Sequence, residues 1–244
     1  MNFLSPIFRV SLLFVSGCLL SCASATLELQ DPLTDKAAIQ SGAIAIGGVL
    51  QAGSGIGLSE SDRNRIAGDL GRTIAKKRKK QDVMGWDTVK RIAGAPPLSS
   101  GGSSDLLARS FSSSDREAMR KGGAKYVLIA LVENNETWND VSESCEHETE
   151  EILDKEGHVV ACITKDTYTT TSSAYREVNA EYHLYELSSG KKVWVTSSDH
   201  REAHSRSNQS EFHYPRPPRH PAPPTIDDVM ENMAAAAIRK LPRK

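Results

Sequence analysis

The side chains that could do chemistry in this 244-residue chain are four cysteines, seven histidines and a few clustered carboxylates. Cys145 and Cys162 lie in the body of the chain. In an oxidising compartment such a pair is expected to form a disulfide, and closing so short a loop would contribute ~3 kcal/mol in the chain-entropy picture. A tetrahedral zinc site is not expected, because neither CxxC nor a close Cys–His pairing supports it. His200, His204, His213 and His220 crowd one polar segment. His200 and His204 are spaced i, i+4 and would share a helix face, as zinc ligands do, but Glu202 between them is not in an HExxH arrangement. Their proline-rich surroundings read as loop composition. No GxSxG nucleophile turn occurs. Glu150-Glu151 falls in an acidic stretch, and Asp227-Asp228 fits the first turn of a helix, where the dipole favours anions. No catalytic residue, cofactor or metal is expected.

Two further runs invite binding readings. Gly53-Ser54-Gly55-Ile56-Gly57 sits between a strand and a capped helix, but dinucleotide spacing needs glycine where Leu58 stands, and no GK[ST] follows. A plain β–α turn is the expectation. Lys76, Lys77, Arg78, Lys79 and Lys80 could hold an anionic surface at ~1 kcal/mol per cation, against the alternative of a solvated helix end. The sequon Asn135-Glu136-Thr137 has no expected use in a bacterium. A formal charge of −1 gives no global field for nucleic acid, and none is expected as a partner.

The N-terminus decides the compartment. After Arg9 comes an apolar stretch from Val10 to Leu20, about a dozen residues where a bilayer crossing needs roughly 20. Small residues follow, the pattern of a signal peptide. Leu19-Leu20-Ser21-Cys22 resembles a bacterial lipobox, with Cys22 lipidated and made residue one. Val15-Ser16-Gly17-Cys18 fits locally but leaves a short apolar core. Ala23-Ser24-Ala25 is a site for ordinary signal peptidase, which would release a soluble product. Cys22 is the expected anchor. Ala23 behind it, in place of Asp, resembles lipoproteins forwarded to the outer membrane.

The elements that must position these residues follow from periodicity. Residues 26 to 41 read as polar loop. Ala43–Leu50 is a buried strand, and Ser59 with Asp62 caps a helix carrying Ile66, Leu70 and Ile74 on one stripe. Val83–Trp86 is a short strand, and Asp87 or Thr88 starts a short helix through Ile92. A Pro/Gly/Ser loop spans 94–105. Ser114 and Glu117 form a second capping box for a helix stopped by Gly122-Gly123. Lys125–Val132 is continuously apolar, the mark of a central strand covered on both faces. Glu133–Glu151 is weakly patterned. Asp154-Lys155-Glu156-Gly157 turns into a strand from His158 to Thr170, then Tyr175–Leu187 and Lys192–Thr196 complete an antiparallel meander. Residues 199–224 read as a flexible loop, and Thr225 caps a last helix.

The fold class expected is α/β (α+β): a single mixed sheet with helices packed on it, β-α-β-α-β and then an antiparallel meander and C-terminal helix. The domain plan is a signal peptide at 1–21, a tether at 22–41 and one domain at 42–244.

Three stretches carry a family resemblance. They are Arg120-Lys121-Gly122-Gly123-Ala124-Lys125-Tyr126-Val127-Leu128-Ile129, the hairpin Leu184-Tyr185-Glu186-Leu187-Ser188-Ser189-Gly190-Lys191-Lys192-Val193-Trp194, and a terminal helix ending in Leu241-Pro242. Together they resemble the periplasmic lipoproteins that share the α/β domain of the curli secretion lipoprotein and of the penicillin-binding-protein activator lipoproteins. A similar domain forms the amino-terminal part of the Tol-Pal system's propeller protein. The resemblance spans roughly residues 42 to 242 and implies a fold; none of those families' functional residues maps onto this chain.

The function expected is a lipid-anchored, non-catalytic binding or assembly module on the periplasmic face of the outer membrane. Its partner would be another envelope protein or further copies of itself. The alternatives are a hydrolase or metal-dependent enzyme acting on envelope polymers, which needs His200, His204 and a carboxylate in one pocket, and a periplasmic small-molecule binder, which needs a deep apolar pocket.

Overall fold

The computed structural model describes residues 23–32, 34, 36–97 and 106–242. Six strands and six helices follow one another: β1 (Ser24–Gln30), α1 (Lys36–Ser41), β2 (Ala43–Gln51), α2 (Glu60–Lys77), β3 (Val83–Met84), α3 (Trp86–Ala93), α4 (Leu106–Ser110), α5 (Ser113–Lys121), β4 (Ala124–Leu153), β5 (Val159–Glu186), β6 (Lys192–Ser210) and α6 (Ile226–Lys240). They form one mixed six-stranded sheet in the order β1-β6-β5-β4-β2-β3. β2 runs parallel to β3 and β4, and the remaining pairs are antiparallel. The fold class is therefore the α/β arrangement read from the sequence.

The core follows from the apolar runs. Every residue of β2 after Ala43 is buried, and so are Tyr126 to Val132 of β4, as continuous apolar strands must be when both faces are covered. On β5 the alternate residues Val178, Ala180, Tyr182 and Leu184 enter the core, joined by Tyr185 near the end of the strand. α2 packs on β2 and on α6, and α6 on β1, β5 and β6. The stripe Ile66, Leu70 and Ile74 of α2 is buried, as are Val229, Met230, Met233 and Ala237 of α6. Ser59 makes the capping box with Asp62 that the sequence announces. The second box uses Ser112 and Asp115, two residues before the Ser114–Glu117 pair that the pattern suggests. Both frames satisfy the spacing, and only the start of the helix selects one.

Three local expectations are corrected. The stretch 26–41 read as polar loop holds two elements: β1 pairs with β6 from Ser24↔Asp199 onward, and α1 follows at Lys36–Ser41. Glu133–Glu151 is not irregular but continues β4 without interruption to Leu153, and β5 is a single strand from Val159. Residues 199–210 belong to β6 rather than to a loop. In all three the pairing partner supplies the order that a polar, unpatterned segment does not show alone.

Candidate functional site

β4, β5 and β6 outrun the helices and form an arm. β2 pairs with β4 only as far as Val132, so among the described residues β4 has no paired strand on that side from Glu133 to Leu153, about 65 Å of strand, although Asn135 donates to Ile56 O near its start. β6 accompanies β5 to Ser210↔Tyr168, and beyond that the arm is a two-stranded hairpin closed by Asp154–Gly157, with Gly157 at φ 86°. Its outer edge carries eight acidic side chains and no lysine or arginine between Glu133 and Leu153. Beside that charged turn stand exposed apolar side chains: Leu153 is 55% accessible, Val159 50%, Val160 61% and Ile163 45%.

The base of the arm is braced by the proline-rich segment that the sequence reads as flexible. Prolines have no N–H to give a ladder, so residues 211–224 cannot extend the sheet and instead turn back over one face. Their carbonyls are held by side chains of the arm: Arg176 Nε donates to Pro224 O at 2.7 Å and Asn208 Nδ2 to Arg216 O at 2.9 Å, and His204 Nδ1 lies 2.9 Å from Ala222 O. Thr170, Ser172 and Ala174 beneath are fully buried. Arg176 also donates to Asn135, and burial pulls its guanidinium down from its ordinary range while Asp62 opposes the shift. A groove of about 460 Å³ opens here between the starts of α2 and α6, lined by Asp62, Arg65, Asn135, Arg176 and Pro224. Arg65 is neutralised by Asp62 at 2.5 Å and Asp227 at 2.7 Å, so it brings no uncompensated charge to the groove. On the opposite face Trp138 and Tyr175 stack at 5.2 Å, and the Arg201 guanidinium lies 4.6 Å from each ring.

The sequence-flagged residues scatter over this frame. Cys22 and Cys18 lie outside the described residues. The expected Cys145–Cys162 disulfide is not formed: both thiols are free, Cys145 faces Tyr168, and Cys162 faces Glu151. Six residues of β5 separate positions 162 and 168, about 20 Å along the ladder, where a disulfide tolerates less than about 7 Å between Cα atoms. Sequence spacing hides this because the two cysteines stand at different distances from the turn, and only the strand register fixes which residue each one faces.

His200 and His204 do not share a helix. They lie about 13 Å apart on β6, His200 buried and His204 exposed, so they do not converge on one pocket. Burial pushes the His200 imidazole down despite Glu202 and Asp199 nearby. The glycine run is a turn: a Cβ at Gly53, Gly55 or Gly57 would meet nothing within 4 Å, and only Gly57, at φ 71°, needs to be glycine.

Arg78 leaves the basic run altogether. As the C-cap residue of α2 it donates to the end of α6, Nη2 to Ile238 O at 2.8 Å and to Leu241 O, and Nη1 to Pro242 O at 3.3 Å. Lys76, Lys77, Lys79 and Lys80 surround it at the end of the sheet where Gln81 donates to Gly42 O. β1 begins at the other end, where Ser24 meets Asp199 beside the base of the arm.

A buried site that sequence reading passes over is His183 on β5, flanked by Ile129 and Val195. Its Nε2 lies 2.7 Å from Glu181 Oε2. Burial, with help from Lys192, pushes the imidazole down to about 3, so the ring is neutral and its Nε2–H donates to the carboxylate. Burial raises the Glu181 carboxyl, reinforced by Glu133 and Glu28. Nothing in the alternation of Tyr175–Leu187 distinguishes a buried polar from an exposed one on the non-core face.

No protein-family profile and no curated protein matches the chain. Solved structures do. The chain is similar to a point variant of the PelC dodecamer from Paraburkholderia phytofirmans at 13% identity and TM-score 0.40, over 91% of this chain and 99% of that one. The LpoB C-terminal domain from Salmonella enterica aligns at 13% identity and TM-score 0.35, over 70% and 87%. Lipoprotein GNA1162 from Neisseria meningitidis aligns at 16% identity and TM-score 0.30, over 70% and 86%. These scores describe loosely related structures and carry no functional argument.

Proposed function

We propose that the protein is a lipid-anchored, non-catalytic docking module on the periplasmic face of the outer membrane, and that its arm is the docking element. The observation that carries this reading is the arm itself: a long β4 edge without a paired strand, with exposed apolar side chains beside its turn, a form that invites strand pairing or burial by a partner. Such an edge is a liability unless something covers it, and its eight acidic side chains select against indiscriminate pairing.

The anchor is supported by where β1 starts. Cleavage after Ala25 would remove Ser24 and Ala25 from the ladder, with the Ser24 Oγ–Asp199 Oδ1 bond of 2.6 Å and the Ser198 bond to Ser24 O. Cleavage before Cys22 keeps the whole strand. A lipid on Cys22 then sits two residues from the sheet, with no tether between, and holds the base of the arm at the bilayer. The same geometry turns Lys76, Lys77, Lys79 and Lys80 away from that bilayer, so their anionic surface is not the membrane of the anchor. Among the described residues no helix is long and apolar enough to cross a membrane.

A photo-crosslinking residue at Val160 in intact cells should capture an envelope protein or a second copy, while the same residue at Glu60 on α2 captures neither. Equal yields at both positions, or none at Val160, would defeat the docking reading. Labelled palmitate should enter the parent chain and not Cys22→Ala.

A further inference from the structure

The two-stranded part of the arm brings together three side chains of different chemistry. Cys145 and His147 are two apart on β4 and therefore point to the same face. Asp166 stands directly across from His147 in the β5 register. One ligand atom from each of the three lies within 4.8 Å of the others. His147 Nδ1 is 2.7 Å from Asp166 Oδ1, a contact that lowers the Asp166 carboxyl, as does Tyr168 more weakly.

We propose that Cys145, His147 and Asp166 form a three-donor site for a borderline-soft divalent cation, with Zn²⁺ the best match. Thiolate, imidazole and carboxylate are the donor types that zinc takes, and three protein ligands leave the fourth tetrahedral position for water. Ligand separations in such a site are about 3.3–3.6 Å for bonds of 2.0–2.3 Å. The observed cluster needs to open between the His147 nitrogen and the Asp166 oxygen, now 2.7 Å apart. Rotation of the exposed His147 and the half-buried Cys145 and Asp166 side chains brings this about on a backbone held by strand pairing.

The surroundings are those of a supported ligand set. Tyr168, opposite Cys145, donates its hydroxyl to the second Asp166 oxygen at 3.3 Å and packs edge-on against Tyr214 of the proline-rich segment at 5.0 Å. It thereby orients the carboxylate as outer-shell partners do in metal sites. The position in the fold gives the cation a task. β6 ends at the Tyr168↔Ser210 pair, so the site sits where the arm loses its third strand and clamps the two that continue. On binding, the Cys145 thiol releases its proton to solvent and the hydrogen bond between His147 and Asp166 gives way to two metal bonds. Affinity therefore falls as pH falls. The spacing argument misses this site because one donor comes from across the hairpin, and because Cys-x-His is a strand pairing rather than a finger motif.

The test titrates the reduced full chain with Zn²⁺ and with Co²⁺. The expected result is one equivalent bound, a sulfur-to-cobalt charge-transfer band, and slower amide exchange over residues 146–167. Cys145→Ser should abolish the band and the exchange protection. His147→Ala and Asp166→Asn should each weaken binding at least tenfold. Cys162→Ser and His158→Ala, the latter in the exposed Asp154–Glu156–His158 turn cluster, should change nothing. Binding that survives Cys145→Ser, or that is lost with His158→Ala, would overturn the assignment. Circular dichroism of each variant separates loss of ligand from loss of fold.

Discussion

The buried His183 and His200 and the half-buried Arg78 each make a measurable demand. His183 is neutral in the folded chain, its imidazole at about 3 against an ordinary 6.5. Between those values the unfolded chain takes up a proton that the folded chain refuses, so stability falls as pH drops below about 6.5, by up to about 1.4 kcal/mol per unit. Above 6.5 the group contributes no slope. His200 adds in the same direction. Urea midpoints from pH 7 to 4.5 should show this slope, and His183→Leu should flatten it; an equal slope in the variant would mean that other groups carry it. Arg78 joins two helix ends, so Arg78→Ala should cost about 1–3 kcal/mol by leaving carbonyls of α6 without their charged donor. Replacing Lys79 beside it should cost less than about 0.5 kcal/mol. From sequence the five cations were indistinguishable, because only the docking of α6 tells a cap from a solvated charge.

At the level of elements, β2 and the arm depend on burial in opposite ways. β2 needs Gly48 at φ 97°, where its register to β4 shifts, and a Cβ there would stand 3.0 Å from the Trp86 ring of α3. Gly48→Ala should therefore destabilise by about 2 kcal/mol in urea unfolding. The distal hairpin contributes little to the core, since its side chains are mostly exposed. Joining Cys145 to Tyr168 through Asn-Gly, with 146–167 removed, should shift Tm by less than about 3 °C while abolishing crosslinking from the arm. Apolar periodicity made β2, α2 and α6 readable because burial dictates their residue types. The arm was not readable: Glu133–Glu151 owes its extended form to β5 across from it, not to its own composition.

For the molecule as a whole, the direction of β1 links anchor, arm and basic end. A chain beginning at Thr26 should be about 1–2 kcal/mol less stable than one beginning at Cys22, because two ladder positions and their side-chain bonds are lost. Equal stability would remove the structural preference for the lipidated product. The arm and the start of β1 lie at the same end of the sheet.

By itself the sequence determined the α/β class, the central apolar strands and the caps of α2 and α6, because hydrophobic burial and end-capping act locally and leave their period in the residue types. Only the tertiary structure decided that 24–30 is a strand, that Cys145 and Cys162 are far apart, that Arg78 is a cap, and that Cys145, His147 and Asp166 meet. Those facts depend on strand register and helix docking, which are set by partners distant in the chain and write no pattern into the segment they position.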